Sequence, residues 1–264
     1  SQIFTPLESL GMEIQTIQSA IAGVQRINEF FALPEPAPKQ HENTADSKSV
    51  QNNGKSFVEF RDVTFGYDEH TVLKHLSFQV EEGEQITLSG RTGAGKSTVF
   101  KLLLGLYEPG EGSVWIDGRE AAAIDRKDRR FLFGYVEQSF HRVAGTVKDQ
   151  ITLYDEKISM ENVKEAAELT GLHDTIMHLP DGYDTICTPE LFSQGQWQLL
   201  SIARAAAARP KLLLLDEITA NLDAETEKEV LEALKRVSEN RTVISISHRV
   251  SAKMGRIIPI EQKL

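Results

Sequence analysis

Cysteine is almost missing from this 264-residue sequence, where Cys187 stands alone. One thiol makes no internal disulfide, and no nearby Cys or His completes a metal-ligand spacing. The count suits a reducing compartment and leaves Cys187 a structural bystander. Basic residues are also scarce, 29 Lys and Arg against 39 Asp and Glu, for a formal net charge of −10. A general phosphate-backbone binder needs a basic excess to displace counterions, so nucleic acid is not expected as a partner. No run of about 18 uninterrupted apolar residues is present, so no segment reads as a bilayer span. The first residues do not join a basic stretch to an apolar one, and a secreted chain is not expected. What is there, 40% hydrophobic and 26% charged residues, is the composition of a globular chain long enough to bury a core, as one large domain or two unequal parts.

Ile3, Leu7, Leu10, Ile14, Ile17, Ile21 and Val24 recur three and four apart, the stripe of an amphipathic helix. The spacing predicts one long helix over 1–33, roughly 45 Å at 1.5 Å per residue. Residues 34–56 are polar, contain proline and have almost no aliphatic side chains, and are read as a flexible linker. From 57 onward the pattern becomes α/β. Phe57–Val63 and Val72–Val80 read as antiparallel strands, while Gln85–Ser89, Leu212–Leu215 and Val243–Ser247 are short apolar strands with polar residues at their carboxyl ends. Helices are expected over Lys96–Leu104, Glu161–Thr170, Gln196–Ala208, which Pro210 stops, and Glu225–Ser238. Parallel strands with polar residues beyond their carboxyl ends form the usual ligand site of an open α/β sheet.

The strand at Gln85–Ser89 runs into Gly90-Arg91-Thr92-Gly93-Ala94-Gly95-Lys96-Ser97-Thr98, which fits the phosphate-loop pattern G-x-x-x-x-G-K followed by Ser or Thr. Glycines let the backbone N–H groups face a phosphate, the following helix adds its positive end, and Lys96 reaches the β- and γ-phosphates. Ser97 then offers its hydroxyl to Mg²⁺. Further on, Lys211-Leu212-Leu213-Leu214-Leu215-Asp216-Glu217 delivers two adjacent carboxylates to the end of a buried strand. Asp216 suits Mg²⁺, through water, and Glu217 suits polarisation of a water attacking the γ-phosphate.

With these motifs in order, the chain from Phe57 onward resembles the nucleotide-binding domain of ATP-binding cassette (ABC) proteins. The resemblance implies a P-loop NTPase core, a RecA-like parallel sheet with flanking helices. It adds an antiparallel β subdomain and a helical signature subdomain at about 139–197, all preceded here by the long N-terminal helix. It also implies roles for isolated residues. Tyr67 matches the aromatic that stacks on adenine, and Gln138, in Tyr135-Val136-Glu137-Gln138, matches the glutamine that contacts Mg²⁺ and the attacking water. Asp223, in Ala220-Asn221-Leu222-Asp223, matches the D-loop, and His248 matches the switch histidine. Phe192-Ser193-Gln194-Gly195-Gln196 is similar to the family signature, with Phe for the first Leu and Gln194 for the first Gly. By that likeness Ser193, Gln194, Gly195 and Gln196 meet the phosphates of ATP held by a second nucleotide-binding domain.

The run Gln18–Ile27 resembles the cytoplasmic end of the last transmembrane helix of exporters. This implies an ATPase fused downstream of a membrane domain and working at the cytoplasmic face of a membrane, with ATP and Mg²⁺ as ligands. Some features depart from the family pattern. Trp197 stands where Arg is usual and places a large ring beside the signature; Thr185–Leu191 is about two residues short and lacks the exporter Gly-Glu-x-Gly pattern; the segment after His248 is compressed, and Leu264 precedes the strand and helices the family normally carries. Two alternatives stay open: a soluble cassette ATPase of DNA maintenance or translation, and a binding-competent, slowly hydrolysing half of a heterodimer.

Overall fold

The computed structural model describes residues 56–68, 70–137, 139–219, 222–247 and 253–261. The leading helix and nearly all of the linker, together with Gln138, Asn221 and His248, lie outside the described residues. Among the described residues no helix is long and apolar enough to cross a membrane.

Two sheets carry the described residues. The first is antiparallel, ordered β2-β1-β4-β5, from β1 (Ser56–Tyr67), β2 (His70–Glu81), β4 (Glu111–Ile116) and β5 (Arg119–Glu120). The second is parallel throughout, ordered β6-β7-β8-β3-β9, from β3 (Gln85–Ser89), β6 (Phe133–Val136), β7 (Leu212–Asp216), β8 (Thr242–Ile246) and β9 (Arg256–Pro259). The continuous apolar run of β7 follows from this position, since a central parallel strand is covered on both faces. Along it the side chains alternate between two cores. Leu212 and Leu214 join Phe60, Phe100 and Ile116, whereas Leu213 and Leu215 join Ile151, Leu200 and Val230.

Helix α1 (Lys96–Leu103) follows β3, and α2 (Arg126–Leu132) precedes β6. Between β6 and β7 lie α3 (Val147–Thr152), α4 (Met160–Thr170), α5 (His173–Met177) and α6 (Gln194–Ala207); α7 (Ala224–Ser238) then leads to β8. Each expected strand and helix has its counterpart here, whereas the short elements α2, α3, α5 and β5 were not expected. Helix α6 starts at Gln194, two residues early, because Ser193 caps it in a capping box with Gln196. Strands β6 and β9 were not expected: each has four residues, and Arg256 and Ile257 of β9 are exposed, so neither offers a long apolar run. Strand β4, also unexpected, is short and half exposed.

Candidate functional site

At the carboxyl edge of β3 the chain turns through residues 90–95 and enters α1. Gly95 caps that helix in the left-handed region at φ 97°, where a Cβ would also lie 2.7 Å from Leu73 Cδ2 on β2. The backbone conformation strains any side chain there, and the leucine methyl would have to shift. Lys96 is nearly buried, and its ammonium donates to the carbonyls of Gly90 and Arg91, each at 3.0 Å. The loop is thus folded around its own cation. Arg91, Thr92, Gly93 and Ser97 are exposed, while Ala94 and Thr98 are buried. Tyr67, at the end of β1, brings its hydroxyl within 3.5 Å of Thr98 Oγ1. Its ring meets Phe65 and Tyr107 edge-on, and Lys101 Nζ lies 5.2 Å from its centroid. Tyr107, an exposed ring beside the loop helix, was not singled out by sequence reasoning, because a lone aromatic in a post-helix loop carries no spacing signal.

The carboxylates Asp216 and Glu217 end β7 on the same carboxyl edge of the sheet. Glu217 sits at φ 48°, a left-handed conformation that costs a side-chain-bearing residue about 1 kcal/mol or more. Its N–H donates to Ile246 O on β8 at 3.0 Å, which helps hold it there. Burial pushes the Asp216 pKa up, assisted by the Glu217 and Glu137 charges; the hydrogen bond from Tyr135 and the Lys96 charge pull it down. Tyr135 Oη donates to Asp216 Oδ2 at 3.3 Å. Ser97 and Asp216 together offer one hydroxyl and one carboxylate. Among the described residues no group of three or more His, Cys, Asp or Glu could form a metal cage. One hydroxyl and one carboxylate suit Mg²⁺, which keeps its waters and takes most other ligands from bound phosphate.

Ser193 caps α6, and Gln194, Gly195 and Gln196, also matched to the signature in the sequence, begin its first turn. Ser193 Oγ accepts from the Gln196 N–H at 3.2 Å, and Gln196 Oε1 accepts from the Ser193 N–H at 2.9 Å. Gly195 packs against Thr226 of α7, and Asp223 caps α7 by accepting from the Glu225 and Thr226 N–H groups at 3.1 and 3.0 Å. Gly195 and Asp223 are therefore neighbours through Thr226. Trp197 lies beside the signature, against Phe192, with its ring turned into the core. It is 9% exposed, stacked on Phe140 at 5.2 Å and edge-on to Phe192 at 5.1 Å, with Nε1 donating to Pro189 O at 3.3 Å. Both unusual apolar residues, Phe192 and Trp197, are core.

Comparison with known proteins agrees with this architecture. The sequence profile of the ABC transporter family matches residues 73–220. An uncharacterised ABC transporter ATP-binding protein of Bacillus subtilis (strain 168), YfiC, is 42% identical over 253 residues, covering 95% of this chain and 41% of that protein. The alpha-hemolysin translocation ATP-binding protein HlyB of Escherichia coli O157:H7 is 34% identical over 269 residues, covering 98% of this chain and 37% of that protein. A solved bacterial Atm1-family ABC exporter with ATP bound superposes with a TM-score of 0.72 at 32% identity, over 98% of this chain and 46% of that one. This chain thus spans less than half the length of these relatives. With its profile match running from β2 to just beyond β7, the chain belongs to the ABC transporter family and carries the family's ATP-binding domain.

Proposed function

We propose that this domain hydrolyses MgATP and drives export by a membrane domain fused upstream, at the cytoplasmic face of a membrane. The supporting observation is the meeting of Lys96, folded inside its loop, with Asp216 and Glu217 at one edge of the parallel sheet. In this reading the N–H groups of residues 90–98 and the Lys96 ammonium bind and orient the phosphates, and Tyr67 carries the adenine. Ser97, Gln138 and Asp216 hold Mg²⁺, which when bound neutralises charge on the β- and γ-phosphates. Glu217 accepts the proton of the attacking water, with Gln138 orienting that water and His248 contacting the γ-phosphate. Ser193, Gln194, Gly195 and Gln196 of one domain face the ATP of a second, and Asp223 lies at the seam between them. The relatives named for alpha-hemolysin translocation and for export support an exporter over a soluble cassette ATPase.

Light scattering of the Glu217→Gln chain with and without MgATP tests the paired arrangement. An ATP-dependent doubling of mass is expected. A chain that binds ATP and stays monomeric would overturn the sandwich between two copies.

A further inference from the structure

Tyr135 is placed by strand pairing rather than by any motif. On β6 it is the register partner of Leu214 on the neighbouring parallel strand β7. Leu214 and Asp216 are two apart along β7, so they share one face of the sheet. From the next strand the Tyr135 side chain spans that diagonal and sets its hydroxyl 3.3 Å from Asp216 Oδ2. Phe100 of α1, 1% exposed, holds the ring edge-on at 6.0 Å. The aromatic is thus fixed by the same helix that begins with Lys96 and Ser97.

We infer that Tyr135 is a positioning residue for Asp216, its hydroxyl fixing one carboxylate oxygen so that the other is presented to Mg²⁺ through water. The inference rests on the proposed role of Asp216 toward the metal. The terminal torsion of an aspartate is broad and roughly two-fold, so the backbone of β7 alone does not set the carboxylate plane. A phenol is protonated at neutral pH and donates one hydrogen bond. With Oδ2 engaged, the carboxylate plane is set and Oδ1 keeps its lone pairs. The Lys96 ammonium donates to the Gly90 and Arg91 carbonyls and acts on Asp216 through its charge. Outer-shell partners of metal ligands typically contribute 10- to 100-fold to metal affinity, and a bond of this length belongs at the lower end.

The test is Tyr135→Phe in the full 264-residue chain, with ATP binding measured by calorimetry in EDTA and over a series of free Mg²⁺ concentrations. The ring and its contact with Phe100 are kept. The expected result is unchanged ATP affinity in EDTA and an approximately tenfold rise in the free Mg²⁺ that gives half of the metal-dependent gain. Phe100→Leu, which removes the ring's support and keeps the hydroxyl, should lower the melting temperature and shift the Mg²⁺ midpoint less. An unchanged midpoint in Tyr135→Phe would overturn the inference, as would equal losses with and without metal, or an equal midpoint shift in Phe100→Leu. A wild-type chain whose ATP affinity ignores Mg²⁺ would instead remove the parent reading of Asp216, and this inference with it.

Discussion

Gly195, in the first turn of α6, lies so close to Thr226 of α7 that a methyl group on it would overlap Thr226 Cγ2, while Thr226 Cβ and Oγ1 stand at 3.5 Å. The glycine therefore has a steric reason to be there that is separate from any contact with nucleotide. Thr226 is itself fixed, since its Oγ1 donates to Asp223 Oδ2 at 2.7 Å.

Gly195→Ala should destabilise the chain by about 1–3 kcal/mol, the usual cost of overpacking. Thr226→Ser deletes the clashing carbon and keeps the hydroxyl, so the double variant should recover most of the loss in thermal melts. A double variant that melts as low as Gly195→Ala would refute the steric account. Stability restored without ATP-dependent pairing would separate the packing role of Gly195 from its role at the signature.

Arg204 predicts a second effect. Its guanidinium donates to Gln150 O at 2.6 Å and His141 O at 2.8 Å and lies 4.2 Å from the Phe140 ring centroid, against which Trp197 stacks. The fully buried Gln150 clasps the same segment, donating to Val143 O at 2.6 Å and accepting from the Val143 N–H at 3.0 Å. Residues 140–143, just beyond Gln138, are thereby pinned to α3 and α6. Lysine has no planar fork, so Arg204→Lys should cost about 1–3 kcal/mol and open the chain to trypsin at Arg142. Unchanged melting and unchanged cleavage at Arg142 would contradict the clamp.

The parts that were legible in the sequence are those whose signal is local. The phosphate loop is one strand, one turn and one helix start within about a dozen residues, and β7 announces itself by four leucines before two acids. Tyr135 was invisible because its partner is 81 positions away and is reached across a strand pairing. The contact of Gly195 with Thr226 is hidden for the same reason, as it depends on two helices meeting. The place of Trp197 beside the signature was legible, but its packing was not, since the Phe140 and Phe192 rings that turn it inward lie outside its own helix.

The lone thiol offers a pH test. Burial first, and the Asp149 charge second, push the Cys187 pKa up to about 11 from an ordinary value of 9.0. The unfolded chain therefore releases this proton first. The neutral thiol's contribution to stability is intact below pH 9 and is lost as pH rises through about 11. Only the thiolate reacts with disulfide reagents, so native Cys187 should be labelled far more slowly at pH 8 than the urea-unfolded chain. Equal labelling rates would contradict the partial shielding of the thiol.

The central claim, hydrolysis of ATP with Glu217 as the proton acceptor, is tested most directly by phosphate release from MgATP in the wild-type and Glu217→Gln chains under identical conditions. Loss of a group aligned with the transition state typically costs about 2.7–4 kcal/mol. Turnover in Glu217→Gln should accordingly fall at least a hundredfold while the affinity for MgATP stays within a fewfold of wild type. Comparable turnover in the two chains would contradict the account.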